Sequence, residues 1–289
     1  MIKKLLPIAS LLLVFCAVTF AIHFGSDKLF LFFEEKGWYR ESVDLSPVTD
    51  GEKAERFQEW TVSRLNATGR FSRDQSLFLI NTEHLLNEGH EIYPVEYKDT
   101  DVYMNECAVD AFAALSGAVR ERFGKKLYVS SDFRTSSEQE LLYLEDPDTA
   151  TAPGASEHQA GLALDVYVAG YAGEAFIKTQ AGRFVNRECW KYGFIIRYPF
   201  YGEKITGIRY EPWHIRYVGA PHAEIIYGNG LTLEEYIESL EIDVWYETEE
   251  YYICRTLLPA EGGFLFPAEF ESCVFSVDNT GYGILTVKK

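Results

Sequence analysis

The sequence predicts an α+β body followed by a small all-β tail, and three patterns carry that expectation. Apolar residues at 108, 112, 115, 119 and 123 recur at helical spacing and are closed by Gly124, which marks a core-facing helix between Met104 and Phe123. Leu162, Leu164, Val166 and Val168 alternate with Ala163, Asp165 and Tyr167, the two-residue period of a strand, so Asp165 points away from the aliphatic side. From Val244 to Val287, aromatic and β-branched runs are broken by Pro259, Gly262-Gly263, Pro267 and Gly281, the pattern of a minor β addition.

The other elements follow in order. Leu77 to Ile80 reads as a short apolar strand, and Leu127-Tyr128-Val129 as another. Ser137 and Glu140 have the spacing of a capping box, so Arg134 falls where strand gives way to helix. Phe184 to Tyr192 reads as a helix ended by Gly193, followed by strands at Phe194-Ile195-Ile196 and Trp213 to Val218. Gly230 and Thr232 with Glu235 open a terminal helix reaching about Leu240. Residues 26–75 are polar, charged and interrupted by Pro47 and Gly51, the profile of a spacer. The division expected is therefore 1–25 as membrane anchor or signal segment, 26–75 as spacer, 76–241 as the main domain and 242–289 as the β-rich extension.

Composition narrows the function. The chain has 289 residues with 27 Lys+Arg against 44 Asp+Glu, a net charge of −17, and no stretch supplies the basic face that nucleic acid requires. A hydrophobic content of 47% excludes a disordered chain. Nine acidic residues and no Lys or Arg lie between Tyr217 and Cys254, a run expected to be a solvated face.

Lys3 and Lys4 precede an uncharged run from Leu5 to Ile22, which as a helix covers roughly 27 Å, enough to span a bilayer core. The flanking lysines favour a cytoplasmic amino end, so the expected localisation is the cell membrane, single-pass, with the body extracytoplasmic. The competing reading is a cleaved signal peptide, with Thr19 and Ala21 before the cut. Beyond Cys16, the four cysteines Cys107, Cys189, Cys254 and Cys273 permit two disulfides in an exported body, Cys254 with Cys273 first among them, or four buried thiols.

Ser156-Glu157-His158, then Asp165, then Glu211-Pro212-Trp213-His214 together suggest a metal site. Two imidazoles and a carboxylate form a ligand set that a catalytic zinc takes when it keeps a fourth position for water. Taken singly, each spacing reads more readily as a satisfied polar core residue. The flanking residues decide between the two. Pro153 to Asp165 and Glu211 to Gly219 closely resemble the two signature blocks of the VanY-type D-alanyl-D-alanine carboxypeptidases, zinc peptidases of the M15B group. Ser131-Asp132-Phe133-Arg134 with Gln139, Tyr192 to Pro199, and Leu231 to Tyr236 resemble further blocks of that family, in family order from about Leu77 to Leu240.

The resemblance implies a small antiparallel sheet with flanking helices, the M15 or hedgehog-like zinc peptidase fold, with zinc on the concave side of the sheet. It implies His158, Asp165 and His214 as zinc ligands and Glu211 as general base. A terminal carboxylate needs a cation, and Arg134 offers a planar, permanently charged fork. Ser156 and Gln139 are further candidate substrate contacts, against plainer roles for Ser156 as a turn cap, Gln139 on a solvated helix face and Arg134 paired with Asp132. Trp213 is read as packing or substrate contact, and Arg216 as a structural ion pair. Asp132 and Phe133 replace the family's usual glycine and tyrosine, and the segment from Gln139 to Pro153 is shorter than in many members, which bears on substrate choice.

The expected function is a zinc-dependent D,D-carboxypeptidase that removes the terminal D-alanine from peptidoglycan stem peptides. An L,D-carboxypeptidase acting on tetrapeptide stems is the nearest alternative. A non-catalytic zinc-containing wall-binding protein is a third reading, disfavoured because a structural site has no need of Glu211. The expected partners are the stem peptide and, through the amino-terminal segment, the membrane.

Overall fold

The computed structural model describes residues 27–86, 89–147 and 150–289. Residues 1–25, expected to hold the membrane or signal segment and Cys16, lie outside the described residues. Among those described, no helix is long and apolar enough to cross a membrane.

The strands are β1 (Ser46–Pro47), β2 (Phe57–Trp60), β3 (Phe71–Asp74), β4 (Pro94–Glu96), β5 (Tyr103–Asn105), β6 (Tyr128–Ser131), β7 (Ala163–Tyr167), β8 (Phe194–Ile196), β9 (His214–Tyr217), β10 (Trp245–Glu247), β11 (Tyr251–Thr256), β12 (Phe264–Pro267), β13 (Ser272–Val277) and β14 (Gly283–Lys288). The helices are α1 (27–35), α2 (Asp50–Arg56), α3 (Val62–Ala67), α4 (Val109–Phe123), α5 (Ser136–Glu145), α6 (Gln180–Glu188), α7 (Glu203–Thr206), α8 (His222–Asn229) and α9 (Leu233–Ser239).

The expected small antiparallel sheet is four-stranded, in the order β6-β7-β9-β8, with every neighbouring pair antiparallel. Its aliphatic face packs on α4 and α6. Leu164, Val166, Phe194 and Ile215 meet Phe112, Leu115, Val119 and Val185 in one buried cluster. The apolar stripe of α4 therefore faces the sheet, and Gly124 ends the helix in the left-handed conformation at φ 62°.

The carboxy-terminal strands do not form a minor addition. They build a six-stranded sheet in the order β1-β10-β11-β14-β13-β3, which draws in residues expected to form a spacer. Strand β3 pairs with β13 in parallel, β1 pairs with β10, and β2 pairs with β12 in a separate ribbon. Val48, Phe57, Trp60 and Leu65 are buried with Trp245, Tyr252, Phe266, Phe270 and Phe275. The polarity of residues 26–75 misleads because these strands are two to four residues long and only Phe57 and Trp60 of β2 are buried in them. Another cluster joins the two sheets, with Ile195, Val218 and α8–α9 residues packed on Tyr246, Ile253 and Ile284.

Three smaller expectations are corrected. Leu77 to Ile80 is fully buried but has no strand pairing: its backbone is spent on distant partners, Leu77 N donating to Ser276 Oγ and Leu79 N to Asp278 O, while Phe78 O accepts from Arg216. The capping box of α5 is Thr135 with Glu138, because Thr135 holds the extended backbone of a cap. Cys107, Cys189, Cys254 and Cys273 are all free. Cys254 on β11 and Cys273 on β13 face Leu285 and Val287 of the intervening β14. Two strand spacings alone separate the cysteines by at least about 9–10 Å, beyond the Cα reach of a disulfide.

Candidate active site

Register places two of the proposed ligands side by side, since Asp165 on β7 pairs directly with His214 at the start of β9. The third comes from the short 3-10 turn Glu157–Ala160 that precedes β7. That turn ends at Gly161, whose φ is +65° and where a Cβ would stand 2.7 Å from Asn105 N. Only glycine suits this crossing, and it swings His158 back over the sheet.

His158, Asp165 and His214 offer ligand atoms that all lie within 4.8 Å of one another. His158 Nε2 is 3.6 Å and His214 Nδ1 3.1 Å from Asp165 Oδ1. His158 Nδ1 lies 2.8 Å from the Asp132 carbonyl, which accepts its proton and leaves the Nε2 lone pair facing the site. Asp165 Oδ1 is buried without a hydrogen-bond partner. An orphaned carboxylate oxygen between two imidazole nitrogens fits a divalent cation, and the N2O donor set suits zinc.

Glu211 Oε2 is 3.7 Å from His214 Nδ1, so the carboxylate adjoins the ligand cluster. Burial raises its pKa, with Asp165 adding to the effect against the counter-pull of His214 and Arg209. A carboxylate with a raised pKa is suited to holding a proton in transit. Burial opposes the charge on both Asp165 and His214, but the close approach of opposite charges outweighs it, His158 and His214 acting on Asp165, and Asp165 and Glu157 on His214. In the absence of a cation, Asp165 is held well below the usual carboxylate range and His214 is pushed up to about 9. His158 is lowered, chiefly by burial.

Behind the ligands lies a buried charge network. Glu157 Oε1 accepts from Arg197 Nε at 2.7 Å and from Arg216 Nη1 at 2.6 Å. Arg197 also pairs with Glu234, so one of the nine acidic residues expected on a solvated face is a buried partner. The other oxygen, Glu157 Oε2, faces His214 Nε2 at 3.9 Å, and both atoms lack any other partner. At 3.9 Å this is an electrostatic contact, and it favours the tautomer protonated at Nε2. Arg216 is the structural ion pair expected of it, and it also donates to the carbonyls of Ser76 and Phe78.

The cluster opens into a cleft of about 570 Å³ whose walls include Arg134, Ser156, Tyr198, Arg209, Glu211 and Trp213. Arg134 is largely buried, and its Nη1 donates to Gln139 Oε1 at 2.8 Å. Gln139 lines the same cleft, donates to the Thr151 carbonyl and orients the arginine; it is buried, which differs from the solvated position expected. Asp132 accepts from Tyr103 N and forms no ion pair with Arg134 within 4 Å. Ser156 is buried at the cleft wall and makes no side-chain cap bond. Trp213 packs against the main core and also lines the cleft. The sequence assigns no role to Glu157, Arg197 or Tyr198, although Arg197 and Tyr198 stand together in the Tyr192 to Pro199 block.

A family profile described as VanY, D-alanyl-D-alanine carboxypeptidase, matches residues 101–220, a span that contains His158, Asp165, Glu211 and His214. A bifunctional D-Ala-D-Ala dipeptidase and D-Ala-D-Ala carboxypeptidase, VanXYC of Enterococcus gallinarum, is 35% identical over 182 residues, covering 57% of this chain and 95% of the relative. The chain belongs to the VanY-type D-alanyl-D-alanine carboxypeptidase family. A D-alanyl-D-alanine carboxypeptidase of Enterococcus faecium is 36% identical over 160 residues, which is 54% of this chain. The chain spans about half the length of that VanY-type relative, 52% of it. The solved structure of VanYB in complex with D-alanine-D-alanine superposes with a TM-score of 0.50 at 29% identity, covering 57% of this chain and 99% of that one.

Proposed function

We propose that the protein is a zinc-dependent D,D-carboxypeptidase that removes the terminal D-alanine from peptidoglycan stem peptides. The observation that carries the proposal is the joining of three elements in one cleft: the His158, Asp165 and His214 cluster, Glu211 beside it and Arg134 in the wall. Family membership and the D-alanine-D-alanine complex of a structural neighbour support the substrate class.

Zinc held by His158 Nε2, Asp165 and His214 Nδ1 would supply a Lewis acid that brings the pKa of a coordinated water to about 7. Arg134 binds the terminal carboxylate with the fork that Gln139 aims. Glu211 takes the proton of the attacking water, and its raised pKa lets it return that proton to the departing amine. Glu157 keeps Nε2 of His214 protonated, so Nδ1 stays free to ligate. Residues Leu5 to Ile22 anchor this machinery at the outer face of the membrane, where its substrate is found.

The test is hydrolysis of a stem pentapeptide by the purified chain before and after chelation. Release of D-alanine that stops with chelator and returns with zinc is expected. Hydrolysis that persists in metal-free protein would overturn the zinc role.

A further inference from the structure

A second, shallower cleft lies where α1 meets the catalytic body. Its walls are Leu29, Phe30 and Phe33 of α1, Tyr39, and three arginines, Arg122, Arg183 and Arg187, from α4 and α6. Convergence of three guanidinium groups runs against a net charge of −17. Arg122 is exposed and lies over the rings of Phe123 and Phe184, and among the described residues no carboxylate stands within ion-pair distance of it. Arg183 uses one nitrogen on the carbonyls of Ile177 and Lys178. Arg187 gives its Nε to Glu188 and stands over the Tyr39 ring, leaving its terminal nitrogens at the cleft. Phe33 stacks on Trp38 at the rim, and Trp38 is 69% exposed.

The chain order says what lies beside this cleft. The uncharged run Leu5 to Ile22 ends seven residues before Leu29, a reach of at most about 25 Å even when fully extended. We infer that this face docks on the anionic headgroups of the bilayer that the run enters. Arg122, Arg183 and Arg187 take lipid phosphates, for which guanidinium forks are suited, and Trp38 and Phe32 enter the interfacial layer. A strongly acidic body is repelled by an anionic surface, so a local basic face beside the anchor sets which side turns toward the membrane. The inference rests on the anchor reading of Leu5 to Ile22 and is independent of the catalytic one.

The test uses the full chain reconstituted into phosphatidylcholine vesicles, with or without phosphatidylglycerol, carrying lipids brominated in the upper acyl chain. Tryptophan quenching should be about twofold stronger with phosphatidylglycerol, and the difference should vanish at about 0.5 M salt and in Arg122→Gln/Arg187→Gln. Trp38→Phe should remove most of the quenching, since Trp60 and Trp245 are buried and Trp190 and Trp213 are only partly exposed. Arg183 is left intact because it holds two backbone carbonyls, and unchanged hydrolysis of a soluble peptide by the double variant verifies its fold. Equal quenching in neutral and anionic vesicles, or no effect of the double variant, would overturn the docking. Alkaline extraction of the wild-type chain from neutral vesicles would overturn the anchor reading, and the docking with it, while leaving the peptidase proposal standing.

Discussion

Arg134 Nη1 donates to Gln139 Oε1 at 2.8 Å, and this bond turns the one buried residue of α5 into the support of the arginine in the cleft wall. The rest of that helix contributes nothing comparable to the cleft wall.

Gln139→Leu is therefore expected to act through Arg134. Loss of one hydrogen bond to a charged group removes about 1.5–3 kcal/mol, so kcat/KM for the stem peptide should fall roughly 10- to 100-fold, mostly as a rise in KM. Comparing a free-carboxylate peptide with its carboxyl amide checks the assignment: Arg134→Met should erase the preference for the free acid. Unchanged discrimination in that variant would remove Arg134 from carboxylate recognition.

Glu211→Gln should lower kcat by about 10²–10⁴-fold while leaving zinc bound, because the carboxylate neighbours the ligands without completing the cluster. Metal analysis alongside turnover separates a lost base from a lost metal.

Glu157→Ala should be costly in two ways. It leaves Arg197 and Arg216 without their shared counter-charge, an effect of about 3–5 kcal/mol read by chemical denaturation. It also frees the His214 ring, which should weaken zinc affinity about 10- to 100-fold by competitive chelation. A variant with wild-type stability would show that the two arginines find other partners.

Zinc affinity should rise with pH by about tenfold per unit below pH 9, one proton being displaced. His214 is the source of that proton, since it is pushed up to about 9 while Asp165 is held low and His158 is lowered. The sign for stability is opposite in the metal-free protein. A folded pKa above the ordinary 6.5 gives stability that is full below about pH 6.5 and is lost as pH rises through about 9. Zinc titrations between pH 6 and 8.5 check the slope, and a flat profile would contradict the assignment.

Cys107, Cys189, Cys254 and Cys273 should all react with a thiol reagent in denaturant without reductant, as mapped by peptide mass. Burial pushes each thiol upward, Cys254 to about 12, so the native protein should react slowly at neutral pH.

The His158, Asp165 and His214 cluster is legible in the sequence because its residues sit in short blocks whose local geometry is self-contained: a 3-10 turn ended by Gly161, the alternating strand β7, and the start of β9. The helical stripe of α4 and the cap of α9 were legible for the same reason. Glu157 was not, because its role depends on Arg197 and Arg216, 40 and 59 residues away. Gln139 looked like one polar residue among many on an exposed helix. The second sheet escaped because β3 meets β13 across about 200 residues, and no local pattern in four polar-looking residues announces such a partner. The Cys254–Cys273 pairing failed on topology, since only the strand order reveals β14 between them.

The most direct test offers zinc-loaded protein an equimolar mixture of stem pentapeptide and tetrapeptide and follows both by mass spectrometry. Loss of one alanine from the pentapeptide, accumulation of tetrapeptide and no further shortening are expected. Removal of the terminal residue from the tetrapeptide, with the pentapeptide untouched, would contradict it and assign the cleft to L,D cleavage.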